Sequence, residues 1–116
     1  NHATVLKYVS AEVQKCNIGE DKVMKGPDGT EKLECSDRTT AKKVSDGATA
    51  ALSEFKNPYN KVNGSTVAVF SAAAMTACSA NTKGRTTIVD DGSIFTITTC
   101  KSEKTDDLMT SKGTIE

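Results

Sequence analysis

The residues with the most chemical capacity in this chain are four cysteines, Cys16, Cys35, Cys78 and Cys100, and one histidine, His2. Thiolates and imidazoles hold zinc when they come in close pairs that converge on one ion. Here no two cysteines form a CxxC pair and the histidine stands at the second position, so no metal is expected. Four widely spread cysteines fit two disulfides instead. Of the three possible pairings, Cys16–Cys35 with Cys78–Cys100 is favoured, because each bridge then closes a local loop. A loop of about twenty residues stabilises the folded state by about 3 kcal/mol on the loop-entropy account. Disulfides belong to proteins that work outside the reducing cytosol.

Catalysis finds little to work with. A hydrolytic nucleophile needs a base beside it, most often histidine. His2 is expected to face solvent or a chain junction, and bridged cysteines leave no free thiolate. Asp90-Asp91 and Asp106-Asp107 are paired carboxylates, the residue type that does acid–base work. Both pairs fall in predicted turns, where Asp is favoured for bonding its side chain to nearby backbone N–H groups. Asp90-Asp91-Gly92-Ser93 lacks the spaced acidic run of a calcium loop. Gly26-Pro27-Asp28-Gly29 is not followed by Lys-Ser/Thr and opens no helix, so it is no phosphate cradle. The aromatics Tyr8, Phe55, Tyr59, Phe70 and Phe95 are too scattered to stack bases. The chain is read as no enzyme, with no cofactor and no small-molecule substrate; a small secreted hydrolase has only the lone carboxylates in its favour.

The elements that carry these residues must fold from 116 residues, the size of a single domain spanning 1–116. Hydrophobic residues make up 36%, with two Tyr, three Phe and no Trp, so the core is thin and gains from cross-links. Fifteen basic residues balance fifteen acidic ones. That balance argues against nucleic-acid binding through bulk charge and permits self-assembly. No apolar run of 18 or more residues and no signal-like n- and h-regions occur, and the chain does not start with Met. A leading segment removed, by processing or by design, is the expectation.

Residues 2–16 read as an amphipathic helix, with Val5, Leu6, Val9, Val13 and Cys16 three and four apart. Its pattern reaches back to Ala3 and His2, as in a helix entered in mid-course, and Asn17 and Gly19 supply the stop. Residues 20–40 read as loop around the turn Gly26-Pro27-Asp28-Gly29. A second helix is expected from Thr39 or Thr40 through Phe55, interrupted by Gly47 and ending before Asn57-Pro58. Ser65–Ser71 reads as a strand after the turn Asn63-Gly64, and Ala72–Ala77 fits either strand or helical turn. Arg85–Asp90 and Ser93–Cys100 form a hairpin about Asp91-Gly92. Residues 101–110 read as polar loop, and Lys112–Glu116 as a short strand or a tail. The fold class is α+β: an N-terminal helix and a second helix packed on a three- to four-stranded antiparallel sheet, with two disulfides.

This layout resembles the bacterial type IV pilins with their N-terminal transmembrane half-helix missing. Ala3-Thr4-Val5-Leu6-Lys7-Tyr8-Val9-Ser10-Ala11-Glu12-Val13-Gln14-Lys15-Cys16 looks like the second half of the long pilin helix. Thr86 to Cys100 looks like the sheet hairpin running into a C-terminal cysteine. The resemblance covers the whole chain in layout and few residues in detail. The prepilin cleavage motif is not in this sequence, and the Cys16–Cys35 bridge and second helix depart from the simplest pilin plan. Major pilin, minor pilin and secretion pseudopilin all stay open. The resemblance implies a structural subunit, anchored in the inner membrane, then moved through the periplasm into a surface filament. Copies would assemble through the missing helix, with Val5, Tyr8, Val9 and Val13 as the subunit-packing face. Adhesion, motility or DNA uptake would belong to the assembled fibre, including any contact with a surface or with DNA. The alternative is a free secreted, disulfide-stabilised binding or inhibitor module.

Overall fold

An amphipathic stripe needs a surface to bury against, and that need arranges the molecule. The computed structural model describes residues 2–57, 59 and 67–115. Helix α1, His2–Asn17, turns Val5, Val9 and Val13 inward, each exposed by 2% or less. It stops where expected: Gly19 adopts φ +109° and the Glu20 N–H bonds back to the Lys15 carbonyl at 3.1 Å. Its apolar face lies on strands β5 (Ile94–Cys100) and β6 (Leu108–Thr114). A second helix, α2 (Lys43–Ala51), lies on β3 (Val69–Ser71) and β4 (Thr86–Asp90). The four strands form one sheet in the order β3-β4-β5-β6. Phe95, Ile88 and Ile97 rise from it into a core completed by Met24, Leu33, Val44 and Ala48.

Residues 20–40 are not a loop. They form a hairpin of β1 (Lys22–Lys25) and β2 (Glu31–Glu34), followed by a 3-10 turn at Cys35–Asp37. The Pro-Asp-Gly-Thr turn at its tip is as expected, with Gly29 at φ +83° and the Asp28 Oδ1 accepting from Thr30 N–H at 3.0 Å. The flanking strands escape a period-two reading because Val23 and Met24 are both buried, Met24 having a left-handed φ of +64°. The α2 helix lies closely on this hairpin. A Cβ on Gly47 would stand 3.2 Å from the Lys32 carbonyl and 3.3 Å from the Met24 sulfur. Gly47 thus serves close approach, at the expense of helix propensity. The helix is also shorter than expected. Thr39 and Thr40 stay outside it, Lys42 caps it at φ +72°, and Phe55 lies past its end.

The sheet departs from the antiparallel expectation at one edge. β4, β5 and β6 are antiparallel neighbours, but β3 runs parallel to β4, Val69 opposite Thr86. Parallel neighbours need a crossover rather than a tight turn. Residues 72–85 provide it, so Ala72–Ala77 is neither strand nor helix. The crossover passes over the face away from the helices, where Met75 N–H bonds the Thr98 hydroxyl at 3.1 Å. The expected Ser65–Ser71 strand and Asn63-Gly64 turn fall partly or wholly outside the described residues. The Asp91-Gly92 turn is as expected, with Gly92 at φ +91° and Asp90 opposite Phe95.

Residues 101–110 and the C-terminus also differ from expectation. β6 starts at Leu108, pairs with β5 along seven residues, and leads to Ile115, which is fully buried. It reads as polar because its helix-facing positions are Met109, Ser111 and Gly113 rather than large aliphatics. Gly113 leaves room for the buried Phe95 ring: an added Cβ would stand 2.3 Å from Phe95 Cζ. Replacing Gly113 with Ala should therefore cost about 1–3 kcal/mol through overpacking. Urea unfolding measures this, and an unchanged midpoint would mean that the ring has space to spare.

Candidate functional site

His2 is not a solvent-facing residue. It occupies the first turn of α1, on the same stripe as Val5 and Val9, and is only 6% exposed. Its Nδ1 lies 2.8 Å from the Thr99 hydroxyl on β5, and its Nε2 lies 2.8 Å from the Ser111 hydroxyl on β6. Thr99 is in turn 2.8 Å from the Thr86 hydroxyl on β4. A line of polar groups thus crosses three strands beneath the start of the helix. Burial holds the imidazole below its ordinary pKa. A neutral imidazole donates from one nitrogen and accepts at the other, so one of the two hydroxyls must donate to it.

Beside this line opens a cavity of about 400 Å³, lined by His2, Tyr59, Gly84, Thr99, Lys101 and Met109 among others. The Lys83 ammonium sits 4.1 Å above the Tyr59 ring at its rim. A histidine against a serine is two-thirds of a nucleophilic triad. The third member here is a threonine hydroxyl, which carries no charge to stabilise an imidazolium. No carboxylate lines the cavity among the described residues. The arrangement ties helix to sheet.

Three of the four paired carboxylates are used in the fold. Asp90 is buried at the end of β4, where Oδ1 accepts from Ser45 N–H at 2.8 Å and Oδ2 from Gly92 N–H at 3.1 Å. One carboxylate so caps the first turn of α2 and holds the β4–β5 turn. Asp91 Oδ1 accepts from Ser93 and Ile94 N–H, both at 2.9 Å, and these bonds keep its carboxyl below the usual range. Asp107 accepts from the Ser102 hydroxyl at 2.7 Å. Among the described residues, no group of three His, Cys, Asp or Glu is placed to hold a metal.

The cysteines pair as Cys16–Cys35 and Cys78–Cys100, and no cysteine is free. The first bridge fastens the end of α1 to the end of β2, and the second fastens the crossover to the end of β5. Of the residues assigned to subunit packing, Val5, Val9 and Val13 are enclosed in this chain's own core and are not free for that role. The helix dips them onto its own sheet because they share one stripe with Cys16. Tyr8 is half-buried, and its hydroxyl is enclosed without a hydrogen-bond partner. Burial, then the nearby Glu12, pushes that phenol up to about 12.

Glu12 itself carried no signal in the sequence beyond its polar type. It is 8% exposed; Oε1 accepts from the Met24 N–H at 2.7 Å and Oε2 meets Lys15 Nζ at 2.7 Å. The carboxylate satisfies the backbone at the one residue of β1 with a left-handed conformation. The seam residues were equally silent, since Thr86 and Thr99 read only as strand-compatible and Ser111 fell in no predicted element. The one available clue was that the helical stripe extends back to His2.

The His2 seam has a pH signature. An imidazole whose folded pKa is depressed contributes stability that is complete above its unfolded value of about 6.5 and is lost as pH falls below it. The urea midpoint should therefore hold above about pH 6.5 and drop as pH is lowered from there toward the range where exposed carboxylates titrate. His2→Gln, which keeps hydrogen-bonding capacity without the proton, should flatten that segment of the curve. Equal slopes in both proteins would mean that His2 is not the group responsible.

No helix among the described residues is long and apolar enough to cross a membrane. The two disulfides point to an oxidising, extracellular or periplasmic environment. No protein-family model matches the chain, and neither does any curated protein or solved structure.

Proposed function

We propose that this chain is the head domain of a structural subunit of a type IV pilus-like surface filament. The observation that carries the reading is the way α1 lies on the sheet. Its Val5–Val9–Val13 stripe is spent on β5 and β6 of its own chain, while Lys7, Ala11 and Gln14 stay exposed on the other side. A helix bedded in this way can continue out of the domain as one rigid rod, which is how the pilin plan joins a head to an apolar assembly helix. The mixed sheet and the cystine that closes the C-terminal half agree with a head built to resist unfolding. In this reading copies assemble through an apolar helix that precedes α1, whose burial drives polymerisation. The subunit is anchored in the inner membrane before assembly and is displayed on the cell surface afterwards. Adhesion, motility or DNA uptake are properties of the fibre.

The seam at His2 gives the reading a local rationale. A helix that transmits load into the head needs its entry point fixed to more than one strand. Here one imidazole bonds both β5 and β6.

The coding sequence upstream of Asn1 tests the proposal. The expected result is a short basic leader ending in Gly, then an apolar stretch of about 20 residues that runs in phase into Val5 and Val9. A cleavable secretory signal peptide ending at Asn1 would overturn it and leave the chain a free secreted binding or inhibitor module.

A further inference from the structure

Among the described residues, the outer edge of β6 is an open hydrogen-bonding surface. Ile115 N–H bonds the Ser93 carbonyl at 2.8 Å, which sets the phase of the β5–β6 ladder. With Phe95 opposite Gly113 and Ile97 opposite Ser111, the backbone groups of Met109, Ser111 and Gly113 point to β5. Those of Leu108, Thr110, Lys112 and Thr114 therefore point away from the sheet. No strand among the described residues pairs with β6 on that side. Natural edges are blunted by proline, by bulges, by charged side chains, lysine above all, or by extreme shortness. β6 carries one such device, the exposed Lys112; it is otherwise seven residues long, without proline, and its register is unbroken.

We propose that β6 is an interface at which a second copy of this chain adds edge to edge, in antiparallel register about Ser111. The occupant follows from the pattern of the strand itself. Outward-pointing residues must meet outward-pointing residues for each pair to exchange two hydrogen bonds. Centring on Ser111 sets Thr110 opposite Lys112 of the second copy and Leu108 opposite its Thr114, using the whole strand. Moving the centre to Lys112 would set two like charges face to face, which is destabilising. Moving it to Thr110 would leave Thr114 without a partner. The favoured register is thus self-complementary and joins two four-stranded sheets into one. With fifteen basic and fifteen acidic residues, the chain has no net charge to oppose the approach. This contact uses neither α1 nor anything preceding it, so it stands apart from the filament reading.

The test uses the intact chain with both disulfides formed. Sedimentation across a concentration series is combined with residue-resolved amide exchange. At low concentration the Met109, Ser111 and Gly113 amides should be protected and those of Thr110 and Lys112 should exchange freely. As dimer forms, the Thr110 and Lys112 amides should become protected. Thr110→Pro removes one outward N–H per copy and leaves the β5 ladder intact, because that position gives no bond to β5. It should weaken dimerisation by about tenfold or more while keeping the wild-type circular dichroism. A chain that stays monomeric throughout, or a dimer in which Thr110 and Lys112 still exchange freely, overturns the proposal. So does a folded Thr110→Pro chain that dimerises as well as wild type. Should that variant fail to fold, the exchange pattern of the wild-type chain decides alone.

Discussion

Two covalent ties hold the places where this fold has least else to hold it. Cys16–Cys35 joins the end of α1 to the foot of the small hairpin, and Cys78–Cys100 joins a crossover without regular structure to the end of the central strand β5. The apolar contacts between these ties are made mostly by valines, isoleucines and alanines, with Met24, Leu33 and Leu52, and Phe95 is the one fully buried aromatic among the described residues. A core of that composition buries little area per residue, so chain entropy weighs heavily against it. Removing about 3 kcal/mol of unfolded-state freedom per bridge is then a large share of the stability a domain of this size has.

The remaining order comes from polar groups that the thin core encloses and satisfies. Asp90 caps α2 and holds the β4–β5 turn with one carboxylate. Glu12 holds the left-handed residue of β1 from the facing helix. His2 spans two strands, and the threonines beside it extend the bonding to a third. Each of these groups reaches between elements distant in sequence, so each fixes the placement of one element on another. Buried polar networks of this kind are costly when one member is lost, because the others are left without partners. They therefore specify a single arrangement where nonspecific apolar packing would tolerate several.

What could be read from the sequence follows the same division. Helix α1 and the β4–β5 hairpin were legible because their apolar residues repeat at the right period and the turns between them carry Gly, Asn and Asp. The pairing of cysteines was legible from loop length, since the local pairs are also the near pairs in space. The β1–β2 hairpin was hidden by a positive φ at Met24, which puts two consecutive residues inside. β6 was hidden because its inward positions are Ser111 and Gly113, chosen to fit His2 and Phe95 rather than to be hydrophobic. The parallel placement of β3 has no local signature at all; it depends on the crossover and its cystine. At the candidate site the histidine could be seen and its partners could not, because a threonine in a strand looks the same whether it faces solvent or an imidazole.

The claim that the cystines, more than the apolar core, keep this architecture together is open to a direct measurement. Thermal unfolding, followed by near-ultraviolet circular dichroism, would be compared for the oxidised chain and for the same chain reduced and alkylated at all four cysteines. The oxidised chain should unfold in one cooperative transition, and the alkylated chain should show no cooperative transition at physiological temperature or above. A reduced chain that keeps its near-ultraviolet signal and unfolds cooperatively at an unchanged midpoint would contradict the account, and would show that the small core holds the fold unaided.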